Sequence, residues 1–201
     1  MPLHVMFRSI DEHLVCDEKP SVFLNKILGK SQFSEYPFEM MRKQAETEQS
    51  PKHHPEGNVW NHTMLVVDEA ASRKEESTNE RVFMWAAFLH DIGKPPATKT
   101  RKGKITAYDH DRIGEELARD FLSFFNQEKE FISSVAAMVR WHMQILYVLN
   151  DLPFGDASKM KRQVNIQDIA LLNLCDALGR GDADKVLAMS RVERFLEEVK
   201  G

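Results

Sequence analysis

Apolar residues along this chain recur at spacings of three and four rather than at alternate positions, a pattern that predicts helices and gives no convincing strand. In the first fifty residues the pattern is mixed, and it supports short helices at Ser21–Leu28 and Pro37–Gln44. The polar stretch from Glu46 to Pro55 ends in Pro-Lys-His-His-Pro and reads as a loop entering the main domain. From Asn58 onward the helical period is sustained. Asn58 is an N-cap candidate, followed by Val59, His62, Val66 and Ala70 on one stripe. A second helix, from about Glu80 to His90, carries Val82, Trp85, Ala86 and Leu89. It stops near Asp91 because Gly93 and the Pro95-Pro96 pair cannot continue it. Lys94–Tyr108 reads as a basic loop. Further helices are predicted over Asp111–Asn126, with Ile113, Leu117, Phe121 and Phe124 or Phe125 inward, and over Glu128–Met143, with Ile132, Val135, Val139 and His142 on a stripe. Asn165 and Asp168 form a capping pair that opens a helix through Leu178, on which Ile169, Leu172 and Asp176 align. A last helix covers Lys185–Val199. The fold class is therefore all-α, with residues 1–50 as an N-terminal helical arm and residues 51–201 as the main domain.

Composition narrows this little. The 201 residues suffice for one core, and the hydrophobic share of 42% is ordinary. A formal net charge of −4 argues against a broad nucleic-acid surface but not against small phosphate-bearing ligands, which local basic clusters can hold. Cys16 and Cys175 are far apart and in no metal-like spacing, so a reducing compartment is the default. The longest unbroken apolar run, Val82–Leu89, is too short for a bilayer, and Asp11 and Glu12 interrupt the N-terminus where a leader needs a greasy run. The expectation is a soluble cytoplasmic protein with no membrane contact.

The chemistry lies in where imidazoles and inward acids fall. His62 sits on its helix's apolar stripe, His90-Asp91 closes the next helix, His110 begins the third, His142 ends the fourth, and Asp176 lies on the inner stripe of the fifth. Any one such histidine is more often a hydrogen-bonded core residue than a ligand. Six of these groups on successive helices are hard to explain separately, since burying them unpaired is costly and a divalent cation removes that cost. A nitrogen and oxygen set without thiolate suits Mn, Fe, Ni, Co, Zn or Mg.

His62, then His90-Asp91 within Leu89-His90-Asp91-Ile92-Gly93-Lys94, then Asp176 resemble the H…HD…D signature of the HD superfamily of metal-dependent phosphohydrolases. The likeness is nearest to the HD region of bacterial CCA-adding tRNA nucleotidyltransferases. It is carried also by His54-Pro55-Glu56-Gly57-Asn58-Val59-Trp60-Asn61-His62-Thr63, by Asp109-His110-Asp111 leading into Gly114-Glu115-Glu116-Leu117-Ala118, by Trp141-His142-Met143, and by Leu171–Arg180. It covers about residues 50 to 185. The resemblance implies an HD-domain helical bundle over 51–201 with one or two divalent ions in a central cleft. His62, His90, Asp91 and Asp176 would hold the first ion, with Asp91, His110 and His142 around a second. No Gly-Ser pair followed by an Asp-x-Asp motif, the head of a nucleotidyltransferase, occurs.

On this reading the catalytic residues are Asp91, Lys94, His110 and His142; with one metal, His110 and His142 become phosphate donors or proton shuttles. Lys94, Arg140 and Arg180 are candidate contacts to substrate phosphate, with Arg162 a further one. The cluster Lys99, Arg101, Lys102 and Lys104 reads as solvated surface charge. Asp68 or Glu115 could orient a ligand histidine, and the sequence does not choose between them. His4, His13 and His53 are assigned to the surface, and His54 to a structural role. The leading expectation is a phosphodiesterase or phosphatase acting on a small nucleotide or related phosphate ester, with RNA a less favoured partner. The rival is a non-catalytic accessory module that binds RNA ends or a partner.

Overall fold

A computed structural model describes residues 2–200 as a helical bundle with one small hairpin. In chain order the elements are α1 (Leu3–Cys16), α2 (Pro20–Leu28), α3 (Glu39–Ala45), α4 (Val59–Ala71), α5 (Glu80–Leu89), α6 (Lys94–Ala97), β1 (Lys99–Arg101), β2 (Lys104–Thr106), α7 (His110–Phe124), α8 (Lys129–Trp141), α9 (Gln144–Leu149), α10 (Ala157–Lys161), α11 (Ile166–Leu178) and α12 (Lys185–Lys200). The class is all-α, as the period of the apolar residues predicts.

The bundle is arranged around α5, in which every residue from Phe83 to Leu89 is buried, the signature of a helix surrounded by others. It packs against α4, α8, α11 and α1, while α7 and α8 form an antiparallel pair and α12 lies on α11 and α9. Helix starts follow local chemistry. The Asn58 side chain accepts from the Asn61 N–H and the Asn79 side chain from the Val82 N–H, so α4 and α5 both begin at asparagine caps.

Several elements differ from the sequence expectation. The first is α1, whose Met6, Phe7, Ile10 and Leu14 are buried in the core; Phe7 stacks on Trp85 with ring centroids 4.8 Å apart. Its stripe is diluted by Asp11, Glu12 and His13, and Pro2 offers no side-chain cap, so the helix signal is weak. The basic loop contains a hairpin, with Lys99 opposite Thr106 and Arg101 opposite Lys104. Lys102 and Gly103 both have positive φ (49° and 74°), the mirror-image turn that matches strand twist. The sequence carries it as Lys-Gly rather than the more telling Asn-Gly. Asp168 is no part of a capping box. Asn165 alone caps α11, while Asp168 accepts from the backbone N–H and hydroxyl of Thr78 and ties α11 to the turn before α5. On α7 the buried stripe is Gly114, Ala118, Phe121, Leu122 and Phe125, so Ile113 and Leu117 are only half-buried and Phe124 is exposed.

The run Lys129–Leu149 reaches the length and hydropathy of a membrane span, yet half of it is buried within the bundle and it turns at His142-Met143.

Two glycines set the approach of elements near the cleft. A Cβ on Gly93 would stand 2.0 Å from the His110 carbonyl oxygen, and one on Gly179 would stand 2.6 Å from Val66 Cγ2. Gly93 is thus more than a helix stop: only glycine lets the turn after the His90-Asp91 pair lie against the backbone of His110. Asp109, immediately before His110, adopts the left-handed conformation (φ 60°), which aspartate tolerates better than most residues.

Candidate metal centre

Four helix ends bring the predicted ligands together. His90 and Asp91 follow α5, His110 opens α7, His142 caps α8, and Asp176 lies near the end of α11, facing His62 on α4. All three histidines at helix ends are oriented by their own backbones. His90 Nδ1 lies 2.8 Å from the Ala87 carbonyl, His110 Nδ1 2.7 Å from Ala107, and His142 Nδ1 2.6 Å from Val139. A carbonyl only accepts, so each Nδ1 carries the proton, and in the neutral ring the Nε2 lone pair is left facing the cleft.

Those lone pairs converge on Asp91. Its Oδ1 is 3.5 Å from His110 Nε2 and 3.8 Å from His142 Nε2; its Oδ2 is 3.1 Å from His90 Nε2 and 3.9 Å from His62 Nε2. The ligand atoms form two groups of three, His62-His90-Asp91 and Asp91-His110-His142, each within a 4.8 Å span and sharing Asp91. Asp176 joins the first through His62, with Oδ1 2.9 Å from His62 Nε2. Adjacent ligands of one ion at about 2.1 Å lie about 3.0 Å apart, so this spacing is that of neighbouring ligands.

The residues fit a divalent ion on their own chemistry. His90 Nε2 is buried without a hydrogen-bond partner, Asp91 Oδ2 has the Lys94 ammonium beside it but no aligned hydrogen bond, and His110 Nε2 faces His142 Nε2 at 3.2 Å, two acceptors opposed. A cation resolves all three. The donors are nitrogen and oxygen; Cys175, next to Asp176 in sequence, is buried in the hydrophobic core.

Electrostatics divides the ligands. Burial opposes the charge on Asp91, but His90 and Lys94 hold its carboxyl well below the usual range. Burial likewise opposes Asp176, and Arg180 and His62 hold it well below. His62 is raised: burial lowers it, but Asp176 and Glu56 outweigh that. His142 is pushed down to about 4 by burial and by His110, and burial also lowers His110 against the pull of Asp91.

Sequence reasoning missed two residues here. Glu56, held down to about 2 by His62 and His54 although burial works against it, places Oε1 2.9 Å from His62 Nδ1 and 2.8 Å from His54 Nδ1. It is the carboxylate behind a candidate ligand imidazole, the place for which the sequence offers Asp68 or Glu115. Asp68 instead accepts from Ser21, and Glu115 pairs with Arg119 at 3.0 Å. His54, assigned a structural role from the sequence, bonds Glu56 beside His62 and lines the cleft. The signal lay in the stretch His54-Pro55-Glu56 beside His62. The second is Gln49, whose Oε1 accepts from Lys94 Nζ at 2.6 Å while its buried Nε2 has no partner. Nothing in its polar loop context marked it.

The site opens into a cleft of about 400 Å³ lined by Asp91, Lys94, His110, His142, Asp176 and Arg180, among others. Lys94 Nζ stands 2.7 Å from Asp91 Oδ2, and Arg180 3.5 Å from Asp176 Oδ2. Arg140 is not brought to the cleft: it bonds Asp111 at 2.5 Å and lies over the Trp141 ring, and Arg162 ends α10, exposed. His53 lines the cleft mouth though exposed; His13 stacks on Phe23 and His4 on Phe124. Lys99, Arg101, Lys102 and Lys104 are exposed on the hairpin, whose Ile105 and Thr106 line the cleft.

A family model described as HD domain matches residues 59–180. An A-adding tRNA nucleotidyltransferase from Deinococcus radiodurans is 28% identical over 155 residues, which is 70% of this chain and 34% of that protein. A Multifunctional CCA protein from Halorhodospira halophila is 28% identical over 139 residues, 66% of this chain and 32% of that one. A CC-adding tRNA nucleotidyltransferase from Thermus thermophilus is 32% identical over 90 residues, 44% of this chain and 20% of that one. The chain spans about a third or less of the length of these relatives.

Proposed function

This chain belongs to the HD domain family, and from that premise we propose that it is a metal-dependent phosphohydrolase acting on nucleotides or related phosphate esters. The observation that carries the reading is Asp91, shared by two ligand groups whose imidazole Nε2 atoms all turn toward its carboxylate.

His62, His90, Asp91 and Asp176 would hold one divalent ion, and Asp91, His110 and His142 a second. Bound there, such ions supply Lewis acidity toward a phosphoryl oxygen and a water that ionises near neutral pH. The chain's own groups do the rest. Lys94, already 2.7 Å from Asp91, presents its ammonium where charge grows on the phosphoryl group. The unpartnered Nε2 of Gln49 is a second donor in the same wall. The backbone carbonyls of Ala87, Ala107 and Val139 fix the tautomers of three ligands, so no imidazole has to reorient during turnover. Arg180 keeps Asp176 ionised and is the further cation near the phosphate.

The accessory-module reading, in which the chain binds RNA ends or a partner without catalysis, draws on the relatives' names. It gives no reason for a full set of backbone-clamped ligands, which a binding module could lose. The test is turnover of a generic phosphodiester, a phosphomonoester and a nucleotide panel by metal-stripped protein, re-supplied with Mn²⁺, Co²⁺, Ni²⁺ or Mg²⁺. The expected result is metal-dependent release that His90→Ala and Asp91→Ala abolish while circular dichroism keeps the helical signal. Absence of both metal binding and turnover in the wild-type protein would leave the accessory module.

A further inference from the structure

The cleft has two unlike walls. One carries the ligand set with Lys94. The other, made by α9, α12 and the hairpin, is apolar through Ile105, Ile145, Leu146, Ala188 and Val192, with Thr106 at its edge and one charged exception among the described residues, Arg191. On α12 the inward stripe runs Ala188, Phe195 and Val199, all buried, and Arg191 occupies the same stripe where an aliphatic residue would pack.

Arg191 is part-buried, and its guanidinium makes no hydrogen bond, ion pair or ring contact among the described residues. The helix itself offers no partner. The residues three and four positions away are Leu187, Ala188, Arg194 and Phe195, none of them acidic. The other cations of the cleft are engaged, Lys94 with Asp91 and Gln49, and Arg180 with Asp176. Besides Asp91 and Asp176, Glu48 is the one acid lining the cleft among the described residues, and it is exposed. Drawing a guanidinium into an apolar wall without a counter-charge is unfavourable, and an anionic ligand offsets that cost with a fork suited to phosphate. Positive charge also gathers on the hairpin whose Ile105 and Thr106 line the cleft: it exposes Lys99, Arg101, Lys102 and Lys104 in a chain whose net charge is −4.

We propose that Arg191 receives a second phosphate of the substrate, so that the preferred ester is a nucleotide with two phosphate groups, one at the Asp91 ligand set and one at α12. The proposal rests on the reading of the cleft as a phosphohydrolase site. The apolar wall beside the two anion positions takes the base and sugar.

The experiment compares adenosine 5′-monophosphate with adenosine 5′-diphosphate and adenosine 3′,5′-bisphosphate, by kcat/KM on metal-loaded protein and by calorimetric binding to metal-stripped protein, for wild type, Arg191→Gln and Arg191→Lys. At least one two-phosphate nucleotide is expected to exceed the monophosphate by about tenfold or more, the worth of one charge-assisted hydrogen bond. Arg191→Gln brings that ratio to about one, and Arg191→Lys restores part of it. A wild-type ratio near one, or a ratio that Arg191→Gln leaves intact, overturns the proposal even where turnover stands. A calorimetric preference that Arg191→Gln abolishes, in a protein that hydrolyses no nucleotide, upholds the subsite and removes the hydrolase reading. Melting curves of the variants show whether the fold is intact.

Discussion

The two halves of the ligand set are built on opposite principles. Around His62 the charge is dense: Asp176 on one side of the ring, Glu56 on the other, and Arg180 and His54 behind them. Around His110 and His142 it is sparse, with two imidazoles 3.2 Å apart, each held only by a backbone carbonyl and facing the one carboxylate of Asp91. The first half raises the proton affinity of its histidine and the second lowers it. A carboxylate-rich pocket attracts a cation over distance, whereas neutral imidazoles hold it only by coordination. Two ions are therefore expected to bind unequally, more tightly at His62, His90, Asp91 and Asp176.

The largest effect falls on the residue common to both halves. Asp91→Ala is expected to remove both ions and to lower turnover by more than about a thousandfold, since each metal supplies several kcal/mol. Elemental analysis of the purified protein checks the ions. Retention of one ion by the variant would show that the halves do not depend on Asp91 alike. Next, Glu56→Gln should weaken metal binding in the His62 half alone, by about 10–100-fold, as loss of an orienting carboxylate does. Titration with a metal-sensitive dye should show one of two affinities move; equal movement of both would erase the distinction.

A smaller effect separates the halves by pH in the metal-free protein. His142 has a folded pKa of about 4 against 6.5 for the ordinary side chain. Between those values the unfolded chain binds a proton that the folded chain does not, so stability falls as pH drops from 6.5 toward 4. His62 acts in the other direction: its stabilisation is complete below its ordinary pKa and is lost as pH rises through its raised one. Urea unfolding across this range should show a slope that His142→Ala reduces by up to one proton and that His62→Gln does not reduce. The smallest effect belongs outside both halves. Replacing Lys99, Arg101, Lys102 and Lys104 by Gln should lower kcat/KM a few-fold at low salt and hardly at all at high salt, because exposed charges act at a distance and are screened.

What the sequence made legible follows the same division. His62, His90-Asp91, His110, His142 and Asp176 sit on helix stripes or at helix ends, and the 3.6-residue period fixes where such positions face. The structure brings them into one cluster. Glu56 and Gln49 come from irregular chain, where no period reports direction, and their roles depend on the path of the loop. Arg191 was hidden for a different reason: an arginine on a stripe looks like a solvated residue until the cleft beside it is known. The hairpin escaped because its strands are three residues each, too short for alternation to register, and α1 because its polar residues blur its stripe. Asp168 shows the converse error, since a residue three places after a cap can serve a distant turn instead.

The contact between Gly93 and the backbone of His110 has one more consequence. It clamps the two ends of the segment 94–109 against each other, so the hairpin hangs from a closed base. Doubling such a loop would add only about 0.6 kcal/mol of closure entropy, and the base would hold His90-Asp91 beside His110 unchanged. Insertions and deletions there can therefore redraw what the mouth admits while the ligand spacing is inherited intact. Diversification by indel, rather than by substitution, is the inexpensive route to new specificity on this scaffold.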